Sequence, residues 1–200
     1  MKYGTDKHKD GFFERARDWA LNNRRTLLIA LFVSVMAFAV TQFKDIVIIA
    51  VLMSIGAIST FYKRFAHIPL GFELVIFTTV TCSIFYGPLL GAIFGAVTMF
   101  LSSVAAKEID PGAFVSLAAA ALIGVIPYFI IKLNPGFSII LIGLGMTLLN
   151  DLITQPFAII MVGEHEQKIK SLLFVSTHLF FNYLIFRFFA PLLQALLSVQ

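Results

Sequence analysis

Apolar residues run along this chain in long blocks, broken by short polar or Gly/Pro-containing stretches. A bilayer core takes about 20 apolar helical residues, roughly 17–25 as a rule, and the blocks read as membrane spans on that scale. The first covers about 26–43, with Lys44 and Asp45 predicting a short turn after it. The second covers about 46–62 and ends at Lys63 and Arg64. A loop, RFAHIPLG, carries Pro69 and Gly71 as breakers. The third span covers about 72–86, and Gly87-Pro88 forces a turn because proline cannot continue the helix before it. The fourth covers about 88–104, followed by the turn signal Asp110-Pro111-Gly112. The fifth, about 113–131, closes at Lys132 and Asn134-Pro135-Gly136. The sixth covers about 137–162, the polar stretch GEHEQKIK reads as a loop, and the seventh covers about 171–190, ended by Pro191. The fold class is an all-α integral membrane protein, a bundle of six to seven transmembrane helices. Six applies if residues 26–62 are not a hairpin.

Before the first block lies a tail, residues 1–25, and residues 26–200 form the polytopic membrane domain. In the tail, Phe12, Phe13, Ala16, Trp19 and Ala20 fall largely on one helical face, with Glu14, Arg15, Arg17 and Asp18 elsewhere. An amphipathic N-terminal helix with this Trp/Phe face beside basic residues suits the headgroup layer, or docks a partner protein.

Composition confirms the class. Apolar side chains make up 59% of the 200 residues and charged ones 13%, with a mean hydropathy of +0.92. That excludes a water-soluble enzyme and intrinsic disorder. The single cysteine, Cys82, forms no internal disulfide, cannot alone build a zinc site, and reads as a small apolar filler. The 22 phenylalanines suit lipid contact and core filling.

Charge sets the orientation. The net charge is +4, but seven basic residues crowd into the tail: Lys2, Lys7, Lys9, Arg15, Arg17, Arg24 and Arg25. Placed just before an apolar span, they mark a cytoplasmic N-terminus in the cell membrane rather than a nucleic-acid site. With seven spans, Lys63, Arg64, Lys107, Lys168 and Lys170 join them inside, leaving Lys44, Lys132 and Arg187 outside.

Chemistry is sparse. No GxxxxGK[ST], HExxH or GxSxG motif occurs, and Glu164-His165-Glu166 lies in the expected polar loop. One intramembrane Asp makes no two-carboxylate dyad. The chain therefore reads as non-enzymatic and without a cofactor, and ATP-driven work would need another subunit. The informative residues are polar ones at membrane depth, since an ionised Asp at a helix centre costs ~2.5–3.5 kcal/mol on insertion scales. Asp151 lies near the middle of the sixth span, and Thr147, Asp151 and Gln155 share a face, with Asn150 and Thr154 on an adjoining strip. In the seventh span His178 and Asn182 are also four apart, beside Thr177. The two faces predict a network of Asn150, Asp151, His178 and Asn182. It is either a hydrogen-bond knot that fixes helix register, a polar solute site at mid-depth, or an ion or proton pathway through Asp151 and His178. Tyr128 lines a cavity mouth or belongs to the aromatic belt, Glu73 sits at a hydrated interface, and His67 lies in a hydrated loop. Gly87, Gly91 and Gly95, four residues apart, form a smooth stripe for close helix packing.

The stretch IPLGFELVIFTTVTCSIFYGPLLGAIFGAVTMFLSSV, through Pro69, Gly71, Gly87, Pro88, Gly91 and Gly95, resembles the membrane S components of energy-coupling-factor transporters. Asn150-Asp151 and Asn182 are similar to the late helices of that family, and the likeness covers about residues 46–195. The MreD-like cell-shape proteins look similar at this level. The first resemblance implies a six-helix bundle that captures a small-molecule solute from outside, between helices carrying Asn150, Asp151, Gln155, His178, Asn182 and Tyr128. It also implies a transmembrane coupling protein and two ATPases as partners. The first span is additional to that plan, and the seven-span orientation puts the Pro69 loop inside, where the family's loop lies outside. The second resemblance implies a non-transport scaffold that organises partner proteins.

Overall fold

The computed structural model describes residue 19 and residues 22–65, 70–162 and 165–197, all of them helical or in the turns between helices. The expected amphipathic tail helix, apart from Trp19, lies outside the described residues, as do His67 and Pro69. In chain order the helices are α1 (Arg24–Ile58), a 3-10 turn (Phe61–Arg64), α2 (Val75–Tyr86), α3 (Pro88–Ala106), α4 (Pro111–Leu133), α5 (Ile139–Val162) and α6 (His165–Leu197). Among the described residues, five stretches are long and apolar enough to cross a membrane: Phe43–Arg64, Pro88–Ala106, Pro111–Leu133, Ile139–Met161 and Lys168–Ala195. The molecule is therefore an all-helical membrane protein.

Two compact units divide the chain, residues 1–48 and 49–200. The described part of the first unit is the beginning of α1, whose apolar residues include the exposed Leu28, Phe32 and Phe38. The turn expected at Lys44-Asp45 is absent, and the backbone there is helical. Neither residue fixes φ or removes an N–H, and each costs under about 1 kcal/mol in a helix relative to alanine. Two polar side chains interrupt the hydropathy without interrupting the hydrogen bonds.

The second unit is built around α2. Its ten residues Val75–Ile84 are all buried, and α2 packs against α3, α4, α5 and α6. Twelve residues rise only about 18 Å, but a helix enclosed by protein need not match the lipid. Around it, Ile76, Val80, Ile84, Ile123, Ile142 and Phe186 form the main apolar core. The helix ends follow local chemistry. Gly87, at φ +91, breaks the chain so that Pro88 can open α3, where its missing N–H is harmless. Asp110 caps α4, accepting from the Ala113 N–H at 3.0 Å, with Pro111 in the first turn. Gly91 and Gly124 meet backbone to backbone where α3 crosses α4, and Gly95 lies against the Ala120 carbonyl. Gly87 is not part of that contact, since nothing lies within 4 Å of where its Cβ would be.

Two late boundaries differ from expectation. The stretch read as the polar loop GEHEQKIK is helical from His165, and α6 continues through Pro191 to Leu197. Lys and Glu are good helix formers when the polar side faces out. Proline ends a helix only where no neighbouring packing holds the following turn, and here Ala190 and Leu193 are both buried in the core.

Candidate functional site

Asp151 is the thirteenth of the 24 residues of α5, which places it at mid-helix. Its side chain turns inward, as does that of Asn150, and the two residues are 2% and 4% exposed. Thr147, on the same face, is fully buried and donates to the Gly143 carbonyl. On α6, His178 and Asn182 are both fully buried. The ring contact of Phe186 on Gly143 shows how closely the two helices approach. His178 Nδ1 lies 2.8 Å from Asp151 Oδ1, to which the Asn150 amide also donates at 3.4 Å. Asn182 donates to the His178 carbonyl at 3.0 Å, within its own helix. Thr177 turns its hydroxyl onto the carbonyls of Leu173 and Phe174.

Glu73 departs most from the sequence reading. It is only 4% exposed. Gly71, at φ +64, packs against the backbone of His178 so tightly that a Cβ there would lie 2.7 Å from its nitrogen. Leu74 N–H donates to Ser59 Oγ at 2.9 Å. These two contacts hold residues 71–74 against the bundle and carry Glu73 inward. One carboxylate oxygen lies 3.5 Å from His178 Nε2 and the other 3.3 Å from Lys63 Nζ. Lys63 in turn lies 3.8 Å from Glu108. Burial alone would push the Glu73 carboxyl up, but the Lys63 ammonium, with His178 behind it, more than reverses this and holds it below its ordinary value. The result is a row of ionisable groups, Asp151–His178–Glu73–Lys63–Glu108, running from mid-helix to the end of the bundle, buried at its first three members, half-buried at Lys63 and exposed at Glu108.

The end of that row borders a cavity of about 490 Å³, a size typical of small-molecule sites. Its walls come from the ends of α3 and α5 and the starts of α4 and α6, together with Lys63 and Glu73. Polar side chains dominate, among them Ser102, Ser116, Asn150, Thr154, Gln155 and Ser171. Arg64 anchors this end by hydrogen bonding the terminal carbonyls of α3, those of Ala105 and Val104. Two of the lining residues carry buried polar atoms without a hydrogen-bond partner, Asn150 Oδ1 and Ser171 Oγ. The unmatched oxygen of Asn150 follows from its neighbour: with the amide nitrogen turned to Asp151, the carbonyl is left without a partner.

The six residues singled out from the sequence therefore separate. Asn150 and Gln155 line the cavity, whereas Asp151, His178 and Asn182 lie behind its wall. Tyr128 is elsewhere. It stands about 18 Å along α4 from Ser116, under the Lys132 ammonium and beside Phe129. Lys63, Glu73, Glu108 and the serines were missed, because loop charges carry no periodicity that reports burial. The one sequence signal was Gly71, a backbone breaker two residues before an acid. Among the described residues no cluster of three or more His, Cys, Asp or Glu could hold a metal ion.

No family model matches this chain, and neither does any curated protein or solved structure.

Proposed function

We propose that the protein is a solute-binding membrane subunit of S-component-like type, whose cavity holds a small polar molecule and whose motion is driven by a coupling membrane protein with ATPases. The observation that carries this reading is the polar cavity itself, of small-molecule size and enclosed by four helix ends.

The same reading sets the topology at six crossings, with the basic tail inside. One unbroken α1 replaces the expected hairpin. The short α2 is extended by the non-helical residues 70–74, which add up to roughly 16 Å of reach. The cavity end of the bundle then faces outward, as capture from outside requires. Lys63, Arg64, Lys107, Lys168 and Lys170 lie on that side with it, and Lys63 is already matched by Glu73 and Glu108.

The second reading is an MreD-like scaffold. It draws on an apolar groove of about 510 Å³ between α5 and α6, lined by Leu141, Leu144, Gly145, Leu148, Leu179, Phe180 and Tyr183. Native mass spectrometry of the protein isolated in mild detergent separates the two. A bound small molecule and an ATPase module support solute transport. Recovery of membrane proteins alone, with an empty cavity, supports the scaffold and ends the first reading.

A further inference from the structure

Away from the polar cavity, the groove between α5 and α6 is a space that the chain's own packing leaves unfilled. Nothing lies within 4 Å of where a Cβ on Gly145 would stand, and Leu141, Leu148, Phe180 and Tyr183 line the gap around it. The groove is short. It follows α5 from Leu148, three residues from the mid-helix Asp151, back to Leu141, about 10 Å in all. It therefore occupies one leaflet of a bilayer whose hydrocarbon core is about 30 Å thick.

Arg187 stands where the groove ends. On α6, Phe180, Tyr183 and Arg187 are spaced i, i+3, i+7 and share a face. The first two line the groove, so Arg187 continues its α6 wall by one turn. His178, paired with Asp151, marks the centre of the span. Arg187 lies nine residues beyond it, about 13 Å along the axis, close to the roughly 15 Å that separates a bilayer centre from its headgroups. The side chain is exposed, and no hydrogen bond, ion pair or ring contact joins it to another described residue. The described acids of this unit, Glu73, Glu108, Asp110, Asp151 and Glu166, lie at mid-depth or toward the opposite, cavity end. A guanidinium in an apolar span is costly unless it reaches the interface and finds an anion there.

These features select the occupant. A partner's crossing helix would run on past Leu148 through the other leaflet, and it would have to bring its own acid to Arg187. A phospholipid matches both ends of the groove. Its tail is one leaflet long, and its phosphate lies at the depth of Arg187, whose guanidinium can grip it through two parallel N–H bonds. A zwitterionic headgroup carries an ammonium that competes for that phosphate, and an anionic one does not. We infer that the α5–α6 groove is a binding site for an anionic phospholipid, one acyl chain lying over Gly145 and the phosphate held by Arg187. The site shares no lining residue with the polar cavity, so it stands whatever that cavity takes.

The test uses the whole chain in mild detergent, stripped of lipid and titrated with phosphatidylglycerol or phosphatidylcholine of identical acyl chains. Native mass spectrometry is expected to count one retained phosphatidylglycerol, and that lipid alone should raise the melting temperature. Arg187→Gln is expected to weaken its retention about tenfold or more, as loss of a charge-assisted hydrogen bond requires. Lys132→Gln removes an equal charge at the end of α4, away from the groove lining, and should leave retention intact. Gly145→Leu is expected to fill the slot and expel the lipid, with the melting temperature of the lipid-free protein near wild type. Raising the salt from about 0.1 M to about 1 M should loosen phosphatidylglycerol on the unaltered protein, which decides the matter if a variant does not fold. Equal retention of the two lipids, retention of neither, or indifference to Arg187→Gln overturns the inference. So does a photoreactive side chain at Leu144 that joins a polypeptide rather than a lipid in intact membranes, an outcome that gives the groove to a partner helix.

Discussion

Glu73 shows how one side chain ties backbone geometry to charge. Gly71 lets the chain lie on His178, and Glu73 is thereby held between an imidazole and an ammonium. Its carboxyl sits below the ordinary 4.5, so the folded state favours the ionised form more than the unfolded chain does. That stabilisation is fully present above about pH 4.5 and is lost as the pH falls through the lower folded value. Melting curves in detergent from pH 6 to pH 3 should therefore show an acid-dependent decline that Glu73→Gln lacks. The substitution should also cost about 2–3 kcal/mol at neutral pH, the scale of a hydrogen bond to a charged group. An unchanged acid slope in Glu73→Gln would show that other carboxylates control it. At this scale the sequence was half legible. Asp151 declared itself because an acid inside an apolar block has few places to point, whereas Glu73 followed a proline and glycine loop whose path depends on α6, more than a hundred residues later.

Among the helices, contact rather than composition separates one glycine from another. Gly91 and Gly124 leave no space for a side chain, because each faces the other's backbone, while a Cβ on Gly145 meets nothing within 4 Å. Gly124→Leu should thus force α3 and α4 apart and destabilise the bundle by about 1–3 kcal/mol or more. Gly145→Ala should be neutral or stabilising by up to about 1 kcal/mol, the propensity difference within a helix. Thermal unfolding of both variants in one detergent checks the pair, and equal effects would contradict the packing described. Helix starts were readable where local chemistry decides them, at Gly87-Pro88 and Asp110-Pro111. They were misread at Lys44-Asp45, His165 and Pro191, where polarity or a proline suggested an end that backbone hydrogen bonding or core packing does not make.

For the whole molecule the decisive quantity is the number of crossings, because it sets which side the cavity faces. Cys82 is buried, so a single cysteine introduced at Lys107, an exposed residue closing α3 near the cavity, reports on that end alone. With six crossings and the tail inside, a membrane-impermeant maleimide should label it from outside intact cells. Labelling only after the cells are opened would restore the seven-crossing count and turn the cavity toward the cytoplasm. The charge bias of the sequence favours seven, counting every Lys and Arg alike, Lys63 with its two carboxylate partners included. The enclosed α2 has a consequence for how the chain is made. Its twelve residues are apolar but rise only about 18 Å, well short of a hydrocarbon core of about 30 Å, so the helix alone matches protein better than lipid. Whatever inserts the chain therefore has to deliver this helix into the embrace of the four that pack on it.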